Sequence, residues 1–215
     1  KGTFLSNDGW KERGALLHLP DYQKIIGKVP LITGIEYFDH KFFGITQKEA
    51  MEMTPEMKLA LTHAALAVYD AGYSLQELRG RDCGMVLASS STAADYRNLT
   101  SKGNTVAYLN TRESMIGGKL SYYFDLNGPI FSVDSTCSSS LLAVTQAADV
   151  LNSGQADWML AGGVQLFLPQ DEKRAHELLL GIECAKSDYI PFDEAADGLI
   201  LGEGAGFVLL KRYED

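Results

Sequence analysis

The segment Phe131-Ser132-Val133-Asp134-Ser135-Thr136-Cys137-Ser138-Ser139-Ser140-Leu141 passes from an apolar run through a tight polar turn into a helical pattern. Ile130–Val133 reads as a short buried strand. Downstream, Leu141, Val144, Ala148 and Leu151 recur at helical spacing, which predicts a helix from about Ser138 to Asn152 that Gly154 stops. The turn between the two places Cys137 where the helix begins. The first backbone N–H groups of a helix lack internal partners and carry the positive end of its dipole. A thiolate placed there is stabilised, and small hydroxyl residues around it leave room for a substrate and can cap the helix. That combination suits a nucleophile that forms a thioester and later releases it. The same local pattern also fits an inert, buried cysteine beside an ordinary Ser-capped helix. Pattern alone leaves both readings open.

The strand signature recurs on either side. Cys83-Gly84-Met85-Val86-Leu87-Ala88, Trp158–Val164 and Gly206–Leu210 are continuous apolar runs bounded by turn residues, as buried parallel strands are. A further helix starts at Thr54-Pro55-Glu56, with Thr54 as N-cap, Pro55 at the first helical position and Gly72 closing the far end. Its interior, Met57–Ala71, is apolar on most faces, which predicts burial within a larger body. Strands separated by helices imply a layered, mostly parallel α/β sheet, in which chemistry gathers at the carboxyl ends of strands. The first thirty residues carry the least pattern, with Gly2, Asn7-Asp8-Gly9, Gly14, Pro20 and Pro30 as breakers.

Composition narrows the function. The 215 residues include 19 Lys+Arg against 28 Asp+Glu, a net charge of −9, which argues against a nucleic-acid groove built on phosphate neutralisation. The apolar runs fall short of the ~20 residues that cross a bilayer, so no membrane association is expected. Lys1–Trp10 lacks the charged start and apolar run of a signal peptide. Cys83, Cys137 and Cys184 are too few and too scattered for a disulfide framework or a zinc site, so no metal is expected and a reducing, cytoplasmic setting is.

Val133-Asp134-Ser135-Thr136-Cys137-Ser138-Ser139-Ser140-Leu141 closely resembles the active-site motif of β-ketoacyl synthases of the polyketide and fatty-acid type, D-T-A-C-S-S-S. Other stretches follow the same family in the same order. Phe42-Phe43-Gly44-Ile45-Thr46-Gln47-Lys48-Glu49-Ala50 and Met53-Thr54-Pro55-Glu56 look like its F-F-G-I-S-P-R-E-A and M-D-P-Q stretch. Ala161-Gly162-Gly163-Val164 matches its A-G-G-V strand. Pro191-Phe192-Asp193, Ala196-Asp197-Gly198 and Gly202-Glu203-Gly204-Ala205-Gly206 match its P-F-D, A-D-G and G-E-G-A-G signature. The resemblance covers residues 28–215 as the N-terminal part of a ketosynthase domain, with residues 1–27 as an unmatched lead-in.

The resemblance implies an α/β, thiolase-like fold layered αβαβα, of which only the N-terminal half is present and the first strand is lacking. In that family the cysteine takes an acyl chain from the phosphopantetheine arm of an acyl carrier protein. A malonyl-type extender then loses CO₂, and its carbanion attacks the thioester. Cys137 matches the nucleophile, and its N–H would supply part of the oxyanion hole. The resemblance also implies a homodimer, no cofactor bound by the chain itself, and a remaining half on the same or a separate polypeptide. Glu203 and Ser138 are expected to support the site. Thr111–Lys119 matches the family segment along the dimer interface, where Met115 and Ile116 are candidates to line the acyl pocket or simply to pack.

Some features depart from the family. Ser135-Thr136 stands where Thr-Ala is commoner, and Gln47 replaces a Pro. None of His18, His40, His63 or His176 sits in the family's H-G-T-G-T or N-I-G-H motif, so all four are read as structural. The missing first strand lies inside the thiolase-type sheet, and its absence would leave neighbouring strands unpaired. The chain is therefore expected to be a segment of a longer polypeptide or one piece of a split one. Asp193 and Asp197 read as backbone caps. Cys83 and Cys184 read as packed or incidental thiols, and Gly202, Gly204 and Gly206 lack dinucleotide-loop spacing. Asn98-Leu99-Thr100 fits a glycosylation acceptor in a chain with no sign of secretion. Three readings remain: a ketosynthase segment, a non-catalytic partner or scaffold for dimerisation and carrier docking, and a cysteine-dependent transacylase or hydrolase without condensation.

Overall fold

A computed structural model describes residues 32, 34–35, 37–89, 112–166, 184, 190–200 and 202–215. The proposed lead-in 1–27, His18, His176 and the Asn98 acceptor lie outside the described residues. Along the chain come α1 (Gln47–Glu52), α2 (Pro55–Asp70), α3 (Leu75–Leu78), β1 (Cys83–Ser89), α4 (Glu113–Phe124), β2 (Ile130–Val133), a 3-10 turn (Thr136–Ser138), α5 (Ser139–Asn152), β3 (Trp158–Gln165) and β4 (Gly204–Lys211).

Local chemistry sets the ends of these elements, those of α2 as anticipated. Thr54 caps α2 by accepting the Met57 N–H at 3.3 Å, with Pro55 at the first helical position. Gly72, at φ +84°, leaves the helix in the left-handed region that glycine tolerates. Thr46 caps α1 in the same way through the Glu49 N–H at 3.2 Å. Ser74 and Glu77 of α3 satisfy each other's backbone donors in a capping box.

The strands form one sheet in the order β2-β1-β3-β4, parallel except for β4, which runs antiparallel to β3. Here the structure corrects one expectation. Instead of being left with unpaired edges, β1 and β3 pair directly, from Cys83 opposite Trp158 to Ser89 opposite Val164. Buried N–H and C=O groups must find partners, and two apolar strands side by side supply them to each other. A single sheet with helices on both faces is the α-β-α part of a thiolase-like layering.

Period-two alternation sends Met85, Leu87 and Leu160 to one face, where Met57, Leu61 and Val68 of α2 and Ile116, Leu120 and Phe124 of α4 form the larger core. Val86, Met159 and Ala161 face the other way, against Ala143, Ala147, Val150 and Leu151 of α5. The buried stripe of α5 is thus rotated from the apolar positions read in the sequence. Leu141 is 74% exposed, and small Ala143 and Ala147 make the close contact instead. Arg212, at the end of β4, donates to Leu151 O at 3.1 Å and Ala156 O at 2.9 Å, and pairs with Asp157 and Asp215. It ties the far end of α5 to the sheet.

Among the described residues, no helix is long and apolar enough to cross a membrane, and no cluster of His, Cys, Asp and Glu could hold a metal ion.

Candidate active site

The carboxyl end of β2 opens directly into the turn that carries Cys137, whose side chain is exposed. A 3-10 turn over Thr136–Ser138 precedes α5, so the thiol stands at the entrance of the helix. Thr136 has φ +56°, a left-handed conformation that costs a β-branched residue about 1–3 kcal/mol unless its surroundings hold it.

Those surroundings are polar and specific. Asp134 Oδ1 accepts the Thr136 N–H at 3.0 Å. Ser139 Oγ accepts the Ser135 N–H at 2.8 Å and donates to Thr136 O at 2.7 Å. The Ser139 N–H also reaches Thr136 O. Ser138 Oγ donates to Ser135 O at 3.0 Å and shares a 2.8 Å hydrogen bond with Ser135 Oγ. The Thr136 hydroxyl donates to Ser135 O at 2.7 Å. Both peptide units flanking Thr136 are therefore pinned, one through Asp134 and the other through Ser139. Sequence reading singled out Ser138 and passed over Asp134 and Ser139. The signal was present as the run of hydroxyl residues, but only coordinates say which hydroxyl meets which carbonyl.

Other candidates fall elsewhere. Glu203 lies just before β4, which starts beside the carboxyl end of β3, so it shares the end of the sheet with Cys137. β1 and β3 lie between their strands, a separation of roughly 15 Å. Its Oε2 accepts the Ile32 N–H at 2.9 Å and so fastens a distant stretch of chain. Ile116 is 1% exposed within the larger core, and Met115 packs against the same core, on the sheet face opposite α5. The sheet separates both from the helix that follows Cys137.

His40 Nδ1 and Ile45 O lie 2.6 Å apart, closing the Phe38–Ile45 turn. His63 is partly buried on α2, and that burial lowers its pKa. Asp193 Oδ1 accepts the Ala195 N–H at 2.8 Å, and Asp197 Oδ1 accepts the Cys184 thiol at 2.9 Å. Burial pushes the Cys83 thiol up to about 12, an inert state that contrasts with the exposed Cys137.

Three further ionisable side chains with shifted pKa were not anticipated. Glu49 accepts from Lys119 Nζ at 2.8 Å and Tyr123 OH at 2.5 Å, and these bonds hold its carboxyl below the usual range. Tyr123 is pushed up by burial and by that same carboxylate. On α2, burial pushes the Lys58 ammonium down to about 8, opposed by the nearby Glu56 charge. The Glu49 group braces α1 against α4 and lies on the face away from Cys137.

A strand-turn-helix with an exposed cysteine at its elbow, on a sheet with helices on both faces, fits the thiolase-like layering that the motifs imply. The family model described as Beta-ketoacyl synthase, N-terminal domain, matches residues 7–215, beginning ahead of residue 28, from which the resemblance was read. The chain belongs to that family. It is 39% identical over 191 residues to Polyketide synthase PksN of Bacillus subtilis (strain 168), covering 85% of this chain and 3% of that protein. It is 37% identical over 182 residues to the highly reducing polyketide synthase cla2 of Cladosporium cladosporioides, covering 83% of this chain and 8% of that protein. Among solved structures it resembles ketosynthase twelve of the bacillaene polyketide synthase in Bacillus amyloliquefaciens. The TM-score there is 0.73 at 30% identity, covering 93% of this chain and 35% of that one. The ketosynthase from module 1 of the bacillaene synthase from Bacillus amyloliquefaciens FZB42 gives 0.73 at 33% identity, covering 86% and 33%. The chain thus spans about a third of these solved ketosynthases and a few per cent of the polyketide synthases.

Proposed function

We propose that Cys137 is the nucleophile of a polyketide-type ketosynthase and accepts an acyl chain from the phosphopantetheine arm of an acyl carrier protein. The observation that carries this reading is its position: an exposed thiol at the elbow between β2 and α5, inside a match to the family's D-T-A-C-S-S-S. In the loading step Sγ attacks the thioester carbonyl carbon and a new S–C bond forms. The carrier's S–C bond breaks, and the proton lost from Cys137 ends on the departing carrier thiol. The acyl group then meets the carbanion left when a malonyl-type extender loses CO₂, giving a β-ketoacyl product and freeing Cys137. The family's two histidines, which support decarboxylation, lie in its second half. Condensation therefore calls on that half, and the family resemblance favours a homodimer as the working unit.

The decisive measurement is intact mass. The full-length protein, given an acyl-loaded carrier protein, gains one acyl adduct on Cys137, and Cys137→Ala does not. No adduct on the wild type, or one that survives Cys137→Ala, overturns the reading.

A further inference from the structure

We infer that Ser139 is the positioning residue that aims the Cys137 N–H at the acyl oxygen, an inference that rests on the ketosynthase reading above. Thr136 C=O and Cys137 N–H belong to one peptide unit, which is planar and trans, so fixing the carbonyl fixes the N–H on the opposite side. Ser139 fixes that carbonyl twice, through its hydroxyl at 2.7 Å and through its own N–H. Ser139 Oγ also accepts the Ser135 N–H at 2.8 Å, so a single side chain bridges the peptide units around left-handed Thr136. Ser138, the neighbouring hydroxyl, reaches only Ser135 and leaves the Thr136–Cys137 peptide alone.

The consequence is selective. When a thioester carbonyl is attacked, negative charge grows on its oxygen, and a fixed N–H is worth most at that moment. Attack on a saturated carbon builds no such oxyanion. Ser139 therefore acts on acyl transfer at Cys137 and leaves simple alkylation of the same thiol nearly unchanged. A residue that only kept the turn folded would move both.

The test uses the full-length protein as wild type, Ser139→Ala and Ser139→Thr. Acylation of Cys137 by S-acetyl-N-acetylcysteamine, a short thioester mimic of the phosphopantetheine arm, is followed by mass spectrometry of the Cys137 peptide. Alkylation of the same peptide by iodoacetamide is followed in parallel. Ser139→Ala is expected to slow acylation about tenfold or more while alkylation stays within about twofold, and Ser139→Thr, which keeps the hydroxyl, is expected to recover most of the acylation rate. Equal losses in both reactions, or no loss in either, overturn the positioning role while the wild-type adduct leaves Cys137 as nucleophile. A wild type that takes no acyl group from the thioester overturns both.

Discussion

The two faces of the sheet are built differently. One is closed by α1, α2 and α4 around long side chains such as Met57, Leu61, Leu120 and Phe124, all buried. Among the described residues, the other carries α5, held by the small residues Ala143 and Ala147, with Leu141, Phe131 and Val208 exposed around it. The first is a finished core. The second supports the helix that begins at Cys137 and keeps apolar surface outside, as expected of a layer on which more protein stacks in an αβαβα arrangement. Stability in this chain is therefore concentrated on the face away from α5, the helix that follows Cys137.

That contrast can be broken by substitution. Leu61→Ala, in the middle of the closed face, is expected to cost about 3–4 kcal/mol, read from urea unfolding. A loss no larger than that of a surface change would mean the closed face is not the core. Gly162→Ala comes next. A Cβ there would stand 2.3 Å from Gly206 O and 2.5 Å from the Phe207 ring, and backbone does not yield cheaply. The expected cost is about 2–3 kcal/mol, with a fall in melting temperature that Gly118→Ala, whose Cβ position has nothing within 4 Å and whose φ is not positive, does not reproduce.

A third substitution sharpens the same face through pH. Bonds to Lys119 and Tyr123 depress the Glu49 pKa in the folded state, so their contribution is fully present above the carboxyl's ordinary value and is lost as pH falls through the folded one. Between about pH 5 and about pH 3, the wild type is expected to lose more stability than Glu49→Gln. Parallel acid limbs for the two proteins would show that the brace contributes nothing. The smallest effect belongs to the open face. Leu141→Ala is expected to change the stability of this chain by less than about 0.5 kcal/mol, whereas a large loss would mean that α5 is already covered there.

Much of this was legible from residue order. Ile130–Val133 is a strand with the bounds read from its apolar run, and α2 starts at Pro55 behind its Thr54 cap, because each depends on neighbours only a few residues away. The location of Cys137 followed from the same local logic. The face of α5 did not. Of the stripe Leu141, Val144, Ala148 and Leu151, Leu151 is buried and Val144 packs beside it, but Leu141 is exposed and Ala143 and Ala147 make the close contact, since a small side chain lets a helix approach a sheet more closely than leucine does. Ile116 was read as lining the acyl pocket or simply packing, and the turn of α4 that carries it buries it in the larger core.

By itself, the sequence determined the strand Ile130–Val133, the start of α2 behind its Thr54 cap, and that a cysteine stands at a strand-to-helix elbow. These are matters of capping, backbone preference and periodicity, all short-range. Tertiary structure alone decided that β1 pairs with β3 and that the Glu203 carboxylate fastens the Ile32 amide. Residue order says that a strand has edges to pair and that a carboxylate can accept a proton donor. Which strand or amide it meets is set only when distant parts of the chain are brought together.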